Sequence, residues 1–400
     1  MTSAPRPLEG LKVVEFSHMV MGPTCGLILA DLGADVVKVE PAPDGDKTRR
    51  LPGSGAGYFG AYNRNKRSIS VDLKSDEGLA FAIDLVKASD VLLENFGVGV
   101  IDRLGLGYAA MQAVNPRLVY CALKGFLTGP YEQRAALDEV VQMMGGLAYM
   151  TGPEGQPLRA GASVNDVMGG LFGVIAIQAA LLERKRTGKG TLVRSGLFEN
   201  NMFLVAQHMV QYRQTGVPAK PMPERVSAWA VYDVFETAER EKIFVGVVSD
   251  KQWLQFCEAF GLIDLLHDED LLTNAERVAR REAFLPKIRD RFRDLSLSEA
   301  IELCNGTGLP FSPINRPDQL FEDPHVNHVG ATVEVTLSNG VRAQVPTLPI
   351  EYDGGRPDLY RDLPAIGEHN EAVARELGYT DEALDRLRPS LGGATTLFQP

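Results

Sequence analysis

Strand and helix signals alternate through the first half of the chain, and no other feature constrains the fold as strongly. Strand-like runs stand at 12–16, 35–40, 67–73, 90–96 and 118–123, and the run at 67–73 alternates polar and apolar residues. Helical patterns lie between some of them, at 22–33 and 76–87. This β-α-β order predicts an α/β fold with a parallel sheet covered by helices. Ligands bind beyond the carboxyl ends of the strands in such sheets, so a site is expected around 17–19, 94–97 and 124–126.

The sequence changes character after about residue 215. A proline-rich connector at 214–223 leads to strand-like runs at 229–236 and 242–248 and then to helical patterns, which indicates a smaller α+β domain. Strand signals return around Ser338-Asn339-Gly340, a turn typical of β-hairpins. Helices are predicted at 368–378 and 381–388, before a loose tail that starts at Gly392. The predicted segments are a large domain over 1–215, a connector with a small domain over 216–325, and a return segment over 326–400.

Composition and the absence of certain motifs exclude several classes of protein. A net charge of −11 over 400 residues disfavours non-specific binding of nucleic acid. The sequence has no GxGxxG or Walker A motif, so nicotinamide or nucleotide-triphosphate chemistry has little support. Scattered cysteines without a CxxC pair, and scattered histidines, indicate a reduced cytoplasmic protein without a metal site. The amino terminus lacks the apolar core of a signal peptide. The longest apolar run is expected to be a helix that is broken by Gly173 and ends in charges, so no membrane segment is expected.

One carboxylate, Asp166, stands at the head of this apolar run. A turn of small residues at 160–165 precedes it, the run itself covers 171–182, and basic residues and glycines follow at 183–190. The free N–H groups at the start of a helix favour the ionised form of such a carboxylate. The glycine pair 169–170 leaves space in which a ligand or another backbone can approach it. From spacing alone, a helix N-cap is the commoner role of this aspartate, and a base or nucleophile is the alternative.

Beyond these patterns, the chain resembles CoA-transferase family III, which includes the formyl-CoA:oxalate and carnitine CoA transferases. The similarity runs from Pro7 to about Leu387. It rests on many separate motifs that occur in the order of the family: 7–16, 22–23 with 29–40, 63–68, 94–96, 103–105, Asp138 with Gln142, 165–166, 252–253, 274 with 277–278, 308–310 with 313–315, 323–324 and 367–369.

The resemblance implies that Asp166 is the nucleophile of a CoA transferase. Its carboxylate would attack an acyl-CoA thioester to give an acyl-aspartyl anhydride, which the CoA thiolate would convert into an aspartyl-CoA thioester. The acceptor acid would then obtain the CoA through a second anhydride, without ATP. An aspartate suits this role because it is ionised at neutral pH without help. Candidate oxyanion donors are the backbone N–H groups of 169–170 and of the turn 124–126.

The resemblance also implies which residues contact CoA, which is a substrate here and not a prosthetic group. These residues are His18, Val20, Met21, Val71, Lys74, Asn95, Phe96, Gly97, Arg103, Leu137 and Asp138. Lys74 and Arg103 are candidates for the phosphates, with solvated surface charges as the alternative interpretation. His18 and Phe96 have plain core packing as their alternative.

Departures from the formyl-CoA transferase pattern bear on the substrate. That enzyme has a glutamine where this chain has Val20, an arginine at Pro41 and a tyrosine at Leu137, so oxalate is not the expected acceptor. The chain is closer to the branch that handles succinyl-CoA and dicarboxylic acids such as glutarate, malate, mesaconate or itaconate. A guanidinium suits two-point contact with a carboxylate. The candidates for the distal carboxylate of such an acid are Arg134, Arg159 and Arg225.

Two other functions stay open at this point. The α-methylacyl-CoA racemases of the same superfamily use a histidine that falls on Leu137 here, and leucine cannot move a proton. A non-catalytic CoA-binding protein would lose nothing beyond binding in an Asp166→Ala variant.

The family fold is an interlocked, ring-like homodimer with a Rossmann-like large domain built from both ends of each chain. The return segment 326–400 is therefore expected to complete the large domain.

Overall fold

The computed structural model describes residues 5–225, 227–328 and 330–393. The chain forms two compact units, of which the first comprises Met1–Pro223 with His325–Pro400 and the second Glu224–Pro324. The sequence predicted domain boundaries near residues 215 and 325. That these segments are separate domains stays a prediction. Most of the tail that was predicted to be loose lies outside the described residues.

The first unit is built around a parallel sheet whose strands include the apolar runs of the sequence. The strands are β1 Lys12–Phe16, β2 Asp35–Pro41, β3 Arg67–Val71, β4 Val91–Glu94, β5 Val119–Lys124 and β6 Thr191–Gly196. They pair in the order β3-β2-β1-β4-β5-β6, and every pairing is parallel. This sheet confirms the predicted α/β class.

Helices occupy the connections between these strands. They are α1 Met21–Asp31, α2 Tyr58–Tyr62, α3 Asp76–Lys87, α4 Val100–Arg103, α5 Tyr108–Val114, α6 Asp138–Met144, α7 Leu147–Thr151, α8 Val164–Thr187 and, after β6, α9 Leu197–Thr215. Successive strand residues point to opposite faces, so Val13 and Val14 of β1 belong to different cores. Val13 packs in the core that holds α1 and α8, and Val14 in the core that holds α3.

The second unit has its own small sheet and core. Its elements are β7 Val231–Glu236, β8 Lys242–Val247, α10 Asp250–Ala259, α11 Ile263–Leu266, α12 Asn274–Ala279, α13 Arg281–Arg293, α14 Leu297–Thr307 and β9 Phe311–Pro313. The strands pair antiparallel in the order β7-β8-β9, and the helices pack around the buried Trp253. A smaller α+β unit was expected here, and the separate antiparallel sheet agrees with it.

The carboxyl-terminal segment adds a hairpin and two helices to the first unit. These elements are β10 Thr332–Thr336, β11 Arg342–Pro346, α15 Asn370–Glu376 and α16 Asp381–Leu387. β10 and β11 pair antiparallel around the predicted turn, in which Gly340 has a φ of +80°. Val373 of α15 and Leu384 of α16 are buried in the same core as Val14. Both ends of the chain therefore contribute to one unit.

Helix α8 corrects one expectation, because it runs unbroken through Gly173. Its glycines face the sheet side: a Cβ at Gly170 would lie 2.9 Å from the backbone oxygen of Met21, and one at Gly173 would lie 3.2 Å from the sulfur of Cys25. Beside Gly170 the neighbour is the backbone of α1, whereas beside Gly169 it is the side chains of Met21 and Asn200. By length and hydropathy α8 could span a bilayer, and it is the one described helix with that property. Its buried face packs in the core of the first unit.

The polar motif at 63–68 is buried rather than solvated. Arg64 and Asn65 both bond to the carboxylate of Asp31, at 2.5 and 2.8 Å. Arg67 bonds to Asp35 and to Glu376, which joins the motif to α15. Paired charges of this kind tie the β3 edge of the sheet to α1 and to the carboxyl-terminal segment, since a buried charge is tolerated only with partners.

Candidate active site

The strand order reverses its direction between β1 and β4, and this switch point lies where ligands bind in open parallel sheets. The loops after the two strands are joined across it. The backbone N–H of His18 donates to Oδ1 of Asn95 at 3.0 Å, and Nδ2 of Asn95 donates to the carbonyl of His18 at 2.8 Å. The ring of His18 stacks on Phe96 with centroids 5.7 Å apart. The next residue, Met19, has a φ of +65°, a strained value for a side chain of this size.

A cavity of about 580 Å³ opens at this point, and we call it the site cavity. Its lining includes most of the residues that the sequence predicted: His18, Val20, Met21, Asn95, Phe96, Gly97, Leu137, Asp138 and Asp166. Segments far apart in sequence are thus brought together at the switch point. Their roles towards a substrate stay predictions.

Three predicted CoA contacts do not line the site cavity. Val71 is the buried last residue of β3, which lies two strands away from β1. Lys74 is exposed beyond it, and its backbone N–H donates to Asp72 at 3.0 Å. Arg103 is the exposed last residue of α4. Any contact of these residues with CoA therefore involves a part of the ligand that extends outside this cavity.

Asp166 does not cap its helix. Ser163 is the N-cap residue of α8, and Asp166 is the third residue of the helix. A second carboxylate fulfils the capping role, because Oδ2 of Asp138 accepts from the backbone N–H of Asn165 at 2.8 Å and of Asp166 at 3.2 Å. The interpretation of Asp166 as a simple N-cap is therefore wrong, and its own side chain faces the site cavity.

Asp138 is itself held in place by neighbouring polar groups. Nε2 of Gln142, one turn later on α6, donates to Oδ1 of Asp138, and Oε1 of Gln142 accepts from the backbone N–H of Ala160 at 2.8 Å. The guanidinium of Arg159 lies 3.8 Å from Oδ1 of Asp138 and also pairs with Glu139. These bonds explain why Asp138 and Gln142 occur one helical turn apart.

The electrostatic surroundings of Asp166 differ from those expected of a helix start. Burial, and then the negative charge of Asp138, raise the pKa of Asp166 from 3.8 to about 7, against the opposing charge of Arg159. The helix N–H groups that would favour the anion are already bonded to Asp138. The expectation of an aspartate that is ionised without help is therefore wrong.

Other residues of the site cavity include Lys124 and Arg159, which were candidates from the sequence, and Tyr58, which was not. Nζ of Lys124 lies 2.6 Å from Glu94 and donates to the carbonyl of Phe96 at 2.9 Å, so it fixes the loop after β4. A Cβ on Gly125 would lie 2.2 Å from Cβ of Ala136. The turn after β5 therefore needs a glycine at this position to pack against the segment that contains Ala136.

The two sites considered for oxyanion donors have different outcomes. Residues 169 and 170 lie inside α8, where backbone N–H groups bond to the carbonyl four residues earlier. They are not available to a substrate, so that expectation is wrong. Gly125 lines the site cavity, and the turn 124–126 stays a prediction as the donor.

A cluster of buried charges supports the loop after β1 from below. Nζ of Lys38 donates to the carbonyl of Ser17 at 2.7 Å, and Nζ of Lys66 donates to the carbonyl of Pro23 at 2.9 Å. Both lysines pair with Glu15, which lies between them. Burial, together with the charge of Lys38, lowers the pKa of Lys66 to about 8, although Glu15 opposes this. The loop that carries His18 and the first turn of α1 after it are thus held by fully buried charged groups.

Among the described residues, no group of three or more His, Cys, Asp or Glu side chains is placed to hold a metal ion. The four cysteines, Cys25, Cys121, Cys257 and Cys304, are buried thiols.

The sequence and the fold of this chain are similar to those of known proteins. The family model for CoA-transferase family III matches residues 8–370. A succinate–glutarate CoA-transferase of Agrobacterium fabrum is 34% identical over 94% of this chain and 98% of its own length. The human succinyl-CoA:glutarate CoA-transferase is 31% identical over 96% of this chain and 89% of its own length. The crystal structure of a CaiB/BaiF family protein from Brucella suis, 35% identical, superposes with a TM-score of 0.83 over 94% of this chain and all of that chain. The chain therefore belongs to CoA-transferase family III.

Proposed function

We propose that this enzyme moves CoA from succinyl-CoA, or another dicarboxylyl-CoA, to a dicarboxylic acid, with Asp166 as its nucleophile. The observation that carries the proposal is that the carboxyl of Asp166 faces a cavity at the switch point of the sheet, where burial and the charge of Asp138 raise its pKa to about 7. Family membership supplies the reaction class. The relatives named for succinyl-CoA and glutarate support dicarboxylic substrates.

In the first half of the proposed reaction, CoA moves to the enzyme. A carboxylate oxygen of Asp166 attacks the thioester carbon, the C–S bond breaks, and the products are an acyl-aspartyl anhydride and the CoA thiolate. The thiolate then attacks the aspartyl carbon of the anhydride. The donor acid leaves as a carboxylate, and Asp166 is left as a CoA thioester.

The second half repeats these steps with the acceptor. The acceptor carboxylate attacks the aspartyl thioester and expels the thiolate, which gives a new anhydride. The thiolate attacks the acceptor carbon of that anhydride, so the new acyl-CoA forms and the carboxylate of Asp166 is restored. Each step exchanges one activated acyl group for another, and neither a proton donor nor ATP is consumed.

The residues around Asp166 have supporting roles in this scheme. Asp138 fixes the first turn of α8 through two backbone N–H groups, and its charge makes the Asp166 anion less stable and more nucleophilic. The loops joined by His18 and Asn95 form the wall along which the thiol end of CoA would lie. Val71, Lys74 and Arg103 are proposed contacts for the more distant parts of CoA.

We also infer that the enzyme is a homodimer, interlocked as in its family, and works in the cytoplasm. Large apolar side chains are exposed along α8 and α9: Leu171, Ile175, Leu182, Phe203 and Val210 are each 47–67% exposed. Faces of this kind on a folded unit are typical of surfaces that a second chain covers. Sedimentation velocity should give the mass of a dimer, whereas a monomer at micromolar concentration would contradict the inference.

The function is tested by trapping the covalent intermediate. Wild-type protein is incubated with succinyl-CoA, treated with hydroxylamine or borohydride, and digested for mass spectrometry. We expect a modification on the peptide that contains Asp166, and none in Asp166→Ala. A modification elsewhere, or exchange that persists in Asp166→Ala, would rule out this nucleophile.

The rival functions predict different results. A racemase would exchange the α-proton of an acyl-CoA with deuterium from solvent, and Leu137 in the site cavity cannot assist that exchange. A CoA-binding protein without activity would bind CoA and show no transfer in either wild type or Asp166→Ala.

A further inference from the structure

Among the described residues, three lysine and arginine side chains line the site cavity, and they differ in their bonding partners. Lys124 is paired with Glu94 at 2.6 Å. Arg159 is paired with Glu139 and lies 3.8 Å from Asp138. Arg134 has no carboxylate partner within the described part of the chain. Its guanidinium lies over the ring of Tyr131, 4.9 Å from the centroid, and is exposed.

The segment that carries Arg134 is well anchored at both ends. The backbone N–H of Arg134 donates to the carbonyl of Tyr131 at 2.8 Å. Ala136 packs directly against Gly125 at the end of β5, and Asp138 holds the start of α8. An aromatic face can orient a guanidinium without neutralising its charge. Arg134 is therefore held beside the site cavity with its hydrogen-bond donors available to a ligand.

We propose that Arg134 binds the distal carboxylate of the dicarboxylic substrate while the other carboxylate reacts at Asp166. This inference rests on the proposed function and narrows it. A guanidinium matches a carboxylate with two parallel N–H···O bonds, and a monocarboxylic acid of equal length has no group for it. Arg159 is less suited because its charge is already balanced by two carboxylates. Arg225 belongs to the second unit and does not line this cavity.

A phosphate of CoA is the other anion that a free guanidinium could bind. The two sources predict different losses when Arg134 is removed. Loss of a contact with the distal carboxylate affects dicarboxylic acids alone. Loss of a contact with a CoA phosphate affects every reaction through the apparent affinity for acyl-CoA.

The test compares glutarate with pentanoate, which has the same number of carbons and one carboxylate, using one acyl-CoA donor for both. For Arg134→Gln we expect the ratio of kcat/KM for glutarate to that for pentanoate to fall by about 10- to 100-fold. Arg134→Lys, which keeps the charge, should recover part of it. Arg186→Gln removes an exposed arginine from the far end of α8 and should leave the ratio unchanged. An unchanged ratio in Arg134→Gln, or an equal loss for both acceptors with a higher KM for the acyl-CoA, would overturn the proposal.

Calorimetric titration with glutarate separates this inference from the transferase proposal. Binding that requires Arg134, in a protein that transfers no CoA, would support the arginine and contradict the proposed function. Suppose instead that the wild type transfers CoA and that Arg134→Gln has the same ratio of kcat/KM for glutarate to that for pentanoate. This result would support the proposed function and contradict the role of Arg134. A wild type that neither binds dicarboxylic acids nor transfers CoA to any of them, from glutarate to malate, mesaconate and itaconate, would overturn both.

Discussion

Replacing Asp166 with asparagine is expected to stabilise the protein above neutral pH while it abolishes CoA transfer. Burial and the charge of Asp138 raise the pKa of Asp166 from 3.8 to about 7 in the folded protein. The folded state therefore binds this proton more tightly than the unfolded state does. The contribution of the Asp166 carboxyl to the free energy of unfolding is fully present at low pH, and it is lost as the pH rises towards the pKa of the folded state. Asparagine has almost the shape of the protonated carboxyl and does not titrate, so the variant avoids this loss.

The size of the effect follows from the two pKa values. Each tenfold difference in proton affinity is worth about 1.4 kcal/mol, so the wild type loses about 4 kcal/mol of unfolding free energy between about pH 4 and pH 7. For a chain of 400 residues this corresponds to about 5 °C in Tm. We expect Asp166→Asn to melt about 5 °C above the wild type at pH 8 and only about 2 °C above it at pH 5.

The measurement is thermal unfolding of both proteins at pH 5 and pH 8, followed by circular dichroism. Glu9→Gln serves as the control, because Glu9 is an exposed carboxylate outside the site cavity. Its difference from the wild type should be the same at both pH values. Transfer by Asp166→Asn should fall by about three orders of magnitude or more. A stability difference between Asp166→Asn and the wild type that is independent of pH, or a less stable variant at pH 8, would refute the account of the Asp166 environment.

Three further predictions concern the rate and the packing. First, since the nucleophile must be ionised, kcat/KM for the acyl-CoA should rise with pH to a plateau, with a midpoint near 7; initial rates that are constant from about pH 5.5 to pH 9 would contradict this. Second, Gly170→Ala should destabilise the protein by about 1–3 kcal/mol in urea unfolding, because the new Cβ would lie 2.9 Å from the backbone of α1. Gly306→Ala places the same methyl group on a helix in open space and should be neutral or slightly stabilising, so equal effects would argue against the close packing of α8 on α1. Third, Lys66→Met leaves Glu15 with one cation fewer and should cost about 3–5 kcal/mol. In the same unfolding assay Lys87→Met, which breaks an exposed ion pair, should stay within about 0.5 kcal/mol, and a similar loss in both variants would show that burial does not matter here.

Much of the fold could be predicted because its signals are local. The runs that form β1, β2, β4 and β5 were recognisable because strands buried on both faces are rich in valine and leucine, and β3 was recognisable because its residues alternate between polar and apolar. β6 at Thr191–Gly196 was missed, because its polar residues at 191, 194 and 195 make it resemble a loop. The position of helix α8 was predicted correctly, but the helix was expected to break at Gly173. A glycine weakens the local signal for a helix, whatever the glycine packs against in the folded protein.

The candidate site was partly predictable for a similar reason. Loops after strands β1 and β4 were expected to bear ligand contacts, and the motifs at 94–96 and 165–166 indicated which residues to examine. The relation between Asp138 and Asp166 was not predictable, since they are 28 residues apart and meet through backbone N–H groups. Whether Arg134 and Arg159 have carboxylate partners likewise depends on residues from other segments of the chain.

The sequence alone determined five of the six described strands of the parallel sheet, which family the chain resembles, and which carboxylate is the candidate nucleophile. These depend on the periodicity of apolar residues and on the order of short motifs. The tertiary structure decided that the loops of β1 and β4 meet at the switch point, that α1 occupies the space beside the α8 glycines, and that Asp166 has a pKa of about 7. The physical reason is that proton affinity and access depend on burial and on charges a few ångströms away, and those neighbours come from distant parts of the chain.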